Sequence, residues 1–162
     1  MMTGDTIAAL ASAPGAGDRA IVRLSGPLEP IQPLFDPFPR GRGAAVTRLD
    51  LGGPRLPCVA IRSVAPASYT GEDTLELLIP AGAAVVRRVF AVLLAREGVR
   101  HAEPGEFSAR AYLAGKLTLD EARGVEATIA ASSRAQLEAA SRLLSGDFGD
   151  RARAWAGRLA RL

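Results

Sequence analysis

The sequence predicts an α+β fold: a mixed β-sheet with packed helices, followed by a C-terminal α-helical segment. Three observations carry this. Short apolar runs with two-residue alternation, separated by Gly- and Pro-rich turns, fill the first half of the chain. Gly82–Glu97 then repeats apolar residues at helical spacing and leads into another short strand pattern, which places a helix against a sheet. From residue 118 onward there is no proline and no β-branched run, and the periodicity is helical. The expected domains are therefore 1–117 and 118–162.

Asp5–Ser12 reads as a first strand and Arg19–Ser25 as a second, joined as a hairpin through Pro14–Gly17. Five prolines in residues 26–43 exclude a helix interior or a central strand. A loop is expected there, with at most a short helical turn near Ile31–Phe35. Val46–Leu51 and Pro57–Ser63 are further strands around an Asp50–Pro54 turn. Thr70–Asp73 turns into a strand at Thr74–Ile79. Its Leu75, Leu77 and Ile79 share one face, and Glu76 projects from the other. Gly82–Glu97 is an amphipathic helix with Val85, Val89, Val92 and Leu93 along one side and Gly98 as its stop. Val99–Ala102 is a short strand. Glu103–Glu106 starts a helix whose expected apolar face is Phe107, Ala111, Leu113 and Ala114, ended by Gly115. Thr118 and Glu121 form a capping box for the next helix. Ser132 or Ser133 opens another, with Leu137, Ala140 and Leu144 on one face. Gly146 and Gly149 interrupt the pattern. Phe148, Ala152, Trp155, Leu159 and Leu162 then form a stripe that either folds back on the preceding helix or, the preferred reading, calls for a partner or for further chain.

Composition narrows the function classes. Hydrophobic residues at 48% and charged residues at 23% describe a soluble globular chain. A net charge of +3 is a weak field for nucleic acid. Residues 36–62 form the most basic window, with Arg40, Arg42, Arg48, Arg55 and Arg62 against Asp36 and Asp50. Spread over loops and strands, these arginines solvate a surface more readily than they grip phosphates. Cys58 is the only cysteine, which excludes an intrachain disulfide, and His101 is the only histidine. Together they exclude a His/Cys-rich zinc site, and no metal site is expected. No apolar run is long enough to span a membrane, and Asp5 stands where a signal peptide carries positive charge. The expected location is cytoplasmic, with no membrane partner. Leu117 follows Lys116, so no Gly-x-x-x-x-Gly-Lys-Ser/Thr loop exists and no GTP site is expected. There is no Gly-x-Ser-x-Gly elbow and no supported thiol–imidazole pair, so no catalytic residue is assigned.

Three charged residues are candidates for binding. Lys116 is the only lysine among 20 Lys plus Arg. Arginine-rich usage converts replaceable lysines, so a retained one can mark a need for a compact ammonium; it can equally be a residue that escaped replacement. Arg23 lies inside a strand, where it either snorkels from the sheet or meets an anion; snorkelling is the commoner case. Glu76 is flanked by apolar residues on a strand and is either solvent-facing or a ligand group.

Four segments then combine in order and spacing. They are Asp5-Thr6-Ile7-Ala8 with Ala13-Pro14-Gly15; Ile21-Val22-Arg23-Leu24-Ser25-Gly26; Tyr69-Thr70-Gly71-Glu72-Asp73 with Leu75-Glu76-Leu77; and Glu103-Pro104-Gly105-Glu106-Phe107 through Lys116-Leu117. With them the chain resembles the N-terminal part of the tRNA-modification GTPase family, MnmE or TrmE. Residues 118–162 resemble the opening of that family's helical domain.

The resemblance implies a domain that binds a tetrahydrofolate derivative, 5-formyl- or 5,10-methylene-tetrahydrofolate, and forms a homodimer. It implies a fold similar to the folate-binding part of the glycine-cleavage aminomethyltransferases. The family's folate contacts fall on Arg23, Glu76 and Lys116. Glu76 suits the pterin's N–H groups, and the two cations suit the formyl oxygen or the glutamate tail. Full-length relatives are implied to be GTPases that modify the wobble uridine of tRNA with an FAD-dependent partner protein. The chain departs from the family pattern at Pro80-Ala81-Gly82, where a histidine and two glycines are usual. It departs again at Ala16–Arg19 and in the proline-rich 26–43. Two other functions compete: an interaction module with a vestigial folate site, and a small folate-dependent one-carbon transferase, whose general base no residue here identifies.

Overall fold

A computed structural model describes residues 4–13 and 17–146 of the 162-residue chain. The stripe expected at Phe148–Leu162 lies outside the described residues. Two compact units divide between Pro104 and Gly105.

The first unit is built on a seven-stranded sheet: β1 (Thr6–Leu10), β2 (Arg19–Ser25), β3 (Phe35–Asp36), β4 (Gly43–Asp50), β5 (Arg55–Ser63), β6 (Thr74–Pro80) and β7 (Val99–His101), in the order β3-β4-β5-β6-β2-β1-β7. β7 runs parallel to β1 and every other pairing is antiparallel, so the sheet is mixed as expected. The parallel pair needs a crossover, which helix α1 (Ala83–Leu94) supplies. Alternation decides the faces. Val22 and Leu24 of β2, Leu75, Leu77 and Ile79 of β6, and Ala60 of β5 turn to one side and are fully buried. Val89 and Leu93 of α1 complete that core, and both are fully buried. Each such aliphatic side chain contributes roughly 1.5–3 kcal/mol of burial.

The proline-rich stretch holds more structure than a loop. Glu29–Leu34 is a 3-10 helix with Pro30 in its first turn, and β3 follows it. Leu28, Ile31 and Leu34 drop into the core. The prolines fix φ while the apolar residues between them supply the anchor, so the segment docks without α-helical hydrogen bonds.

In the second unit, α2 (Glu106–Leu113) begins after Gly105, whose φ is +77°. Its expected apolar face is shifted. Arg110 and Ala111 are buried, while Leu113 is 75% exposed. Arg110 Nη2 reaches Glu106 Oε1 at 3.1 Å, which lets an arginine occupy a buried position. α3 (Leu119–Ala130) starts with the expected capping box: Glu121 N–H donates to Thr118 Oγ1 at 3.2 Å, and Thr118 N–H to Glu121 Oε2 at 2.6 Å. α4 (Arg134–Leu144) is capped by Ser133, whose side chain accepts from Gln136 N–H. Gly124 of α3 sits where an added Cβ would meet Leu144 N at 2.7 Å, so the two helices approach closely there. Among the described residues, no helix is long and apolar enough to cross a membrane.

Candidate functional site

The β2–β6 register sets Arg23 directly opposite Glu76. Far apart in sequence, they are cross-strand neighbours. Both project from the sheet face opposite the core, and Arg23 Nε donates to Glu76 Oε1 at 2.7 Å. The side chains keep 38% and 29% exposure, so the pair is partly solvated and contributes no more than about 1 kcal/mol to folding. Its surroundings are apolar across the sheet and toward Ile21, and polar toward Ser25. Ala9 lies opposite Arg23 on β1, and Ile61 lies opposite Glu76 on β5. One step along the same face, Ile21 pairs with Leu78, and both are half-buried. Among the described residues, Glu76 Oε2 receives no hydrogen bond. One carboxylate oxygen is thus fixed by the guanidinium, and the other stays open as an acceptor. Such an arrangement fits a ligand that presents N–H donors and a flat apolar body.

The floor beside the pair is tied together by side-chain hydrogen bonds. Ser25, two residues along β2, is fully buried. Its hydroxyl donates to Glu72 Oε2 at 2.7 Å and lies 2.6 Å from Thr70 Oγ1. Ser25 has a single hydroxyl hydrogen, so Thr70 is the donor of the second bond. Glu72 N–H closes the ring onto Thr70 Oγ1 at 3.3 Å. The next residue, Asp73, accepts from Arg62 Nη2 at 2.7 Å and from Ala65 N–H at 2.8 Å. Burial works to raise its pKa, but the Ala65 N–H and the Arg62 guanidinium together hold its carboxyl below the ordinary value. Gly26 continues the same corner at φ +123°, where a Cβ would stand 2.4 Å from Asp5 O. The 70–73 turn is therefore stitched to the end of β2 immediately beside the Arg23–Glu76 pair.

Lys116 belongs to the second unit. Gly115, at φ +68°, ends α2, and the Lys116 N–H donates to Ala111 O at 2.8 Å. The lysine side chain is exposed, and no acidic partner takes it among the described residues.

Sequence reasoning named Arg23 and Glu76 but not their direct pairing, which depends on strand order. It also missed the Ser25–Thr70–Glu72 ring. The available signal was the run of hydroxyl and acidic residues in Thr70–Asp73 beside a serine that ends an apolar strand.

Comparison with known proteins follows the same segments. The family described as GTP-binding protein TrmE N-terminus matches residues 6–116. A tRNA modification GTPase MnmE from Alkalilimnicola ehrlichii is 42% identical, over 99% of this chain and 37% of its own. The MnmE proteins of Hyphomonas neptunium and Rhodopseudomonas palustris are each 44% identical, over 90% and 93% of this chain. The chain spans about a third of the length of these relatives, which it covers to 34% and 35% in the latter two cases. With a family match across both the Arg23–Glu76 sheet and the Lys116 turn, the chain belongs to the TrmE/MnmE family and corresponds to its N-terminal part.

Proposed function

We propose that this chain is the tetrahydrofolate-binding, homodimerising module of a tRNA-modification GTPase. The observation that carries the reading is the Arg23–Glu76 pair on a half-buried apolar face, with Glu76 Oε2 open. Glu76 accepts N–H groups of the pterin, and Arg23 holds the carboxylate in place and adds positive charge toward the formyl oxygen or the glutamate tail. Ile21, Ile61 and Leu78 supply apolar surface for the flat ring. The Ser25–Thr70–Glu72 ring keeps the strands beneath from shifting. Lys116 enters this reading through the family pattern alone, as a second cation. When bound, a tetrahydrofolate derivative supplies a one-carbon unit. Within this chain, the residues bind and orient it. GTP hydrolysis, tRNA and an FAD-dependent partner belong to the activity proposed for the whole protein.

Calorimetric titration of the folded chain with 5-formyl-tetrahydrofolate tests this. Saturable binding is expected. Replacing Lys116 with Ala should cost about ten- to a hundred-fold in affinity, the weight of one charged contact. A folded chain that gives no saturable heat removes the folate reading and leaves the interaction module.

A further inference from the structure

We propose that the open edge of β4, at Gly43–Val46, receives an extended acidic segment of another protein by β-strand addition. The proposal is independent of the folate reading.

β4 pairs with β5 along its whole length, but β3 covers its other side only at Arg48 and Leu49. Among the described residues, Gly43–Val46 therefore have a strand partner on one side alone. None of the loop hydrogen bonds among the described residues reaches their outer side. Edge strands usually block such a side with charges, proline or a bulge. This one does not: its residues are Gly43, Ala44, Ala45 and Val46, and Val46 is 77% exposed. A second backbone can approach small side chains closely and complete the ladder.

Charge selects the occupant. Arg40 and Arg42 lead into the open stretch and Arg48 ends it, and all three are exposed. Among the described residues none has an acidic partner. The neighbouring arginines differ, since Arg55 is paired with Asp36 and Arg62 with Asp73. Asp36 is opposite Arg48 in register, but its carboxylate is engaged by Arg55. An unblocked, uncharged edge bracketed by free guanidinium groups fits a strand with a carboxylate at each end and small apolar residues between. A second copy of β4 fits poorly, because antiparallel pairing centred on Ala45 sets Arg42 against Arg48. Nucleic acid would use the arginines but not the hydrogen-bonding edge.

The probe is the peptide acetyl-Glu-Thr-Val-Thr-Glu-amide, short enough to pair with Arg42–Val46 without meeting β3 and to set its first glutamate diagonal to Arg48, titrated into the intact 15N-labelled chain. Amide shifts at Gly43–Val46 are expected. The same peptide with lysine for glutamate should bind about tenfold more weakly. Of two versions N-methylated on alternate amides, one should lose binding, because only one set of amides faces β4. The double variant Arg42→Glu, Arg48→Glu should reverse the preference between the acidic and basic peptides while its circular dichroism stays unchanged. Equal binding of both charge forms, or full binding by both N-methylated forms, overturns the proposal. So does an oligouridylate of the same charge that shifts the same amides more tightly than the peptide.

Discussion

Asp73 and Cys58 illustrate how burial and partners act on single groups. Asp73 is held below its ordinary value of 3.8 despite burial, because the Ala65 N–H and Arg62 favour its charged form. A carboxyl depressed by folding contributes stability that is present above the unfolded value and lost as pH falls through the folded one. Denaturation of the wild type and of Asp73→Asn should therefore differ at neutral pH and converge below pH 3.8. A gap that persists in strong acid would mean the carboxyl is not the source. Cys58 lies in the core, and burial pushes its thiol from 9.0 up to about 11. The sign is opposite: the native state retains a proton that the unfolded chain releases, so this group's contribution falls as pH rises from 9.0 to about 11. At neutral pH the thiol should resist a disulfide reagent until the chain is unfolded with denaturant. Rapid labelling of the native chain would contradict that burial.

Packing between elements turns on two glycines. An alanine at Gly26 faces both a positive φ and a contact of 2.4 Å with Asp5 O, which is backbone and cannot swing away. Gly26→Ala should cost about 3 kcal/mol or more, read from chemical denaturation. An alanine at Gly124 meets Leu144 N at 2.7 Å. That should force α3 and α4 apart at about 1–3 kcal/mol. Thr118→Ala removes one reciprocal cap and should cost about 1 kcal/mol. The capping box was legible because its chemistry is local: Thr118 and Glu121 are three residues apart on one turn. The core strand at Thr74 was legible for a similar reason, since Leu75, Leu77 and Ile79 alternate without interruption. The face of α2 was misread because Arg110 is buried while bonded to Glu106, and apolar counting gives an arginine no credit for a partner. The 3-10 helix at Glu29–Leu34 was under-read because proline argues against an α-helix and says little about a docked turn. The Arg23–Glu76 pairing depends on β2 lying beside β6, a long-range choice that no local pattern records.

At the largest scale that the first unit offers, the Arg23–Glu76 pair lies in the middle of its sheet, where β6 and β2 are neighbours in the strand order. Ile21, Ile61 and Leu78 on that face are only half-buried within this chain. Homodimerisation through the face would bury roughly 1,600 Å² in total and enclose a flat ligand. Light scattering of the intact chain should then give a dimer, and Leu78→Glu should give a folded monomer. A dimer unaffected by Leu78→Glu would assign self-association elsewhere. The central claim is that the open oxygen of Glu76 reads the pterin. The most direct measurement is a cycle of two proteins and two ligands: wild type and Glu76→Gln, each titrated with 5-formyl-tetrahydrofolate and with an analogue lacking the pterin amino group. The wild type should lose about ten- to a hundred-fold in affinity when the amino group is removed, and Glu76→Gln should lose far less, because its contact is already impaired. Equal losses in both proteins would show that Glu76 does not touch the pterin and would contradict the account.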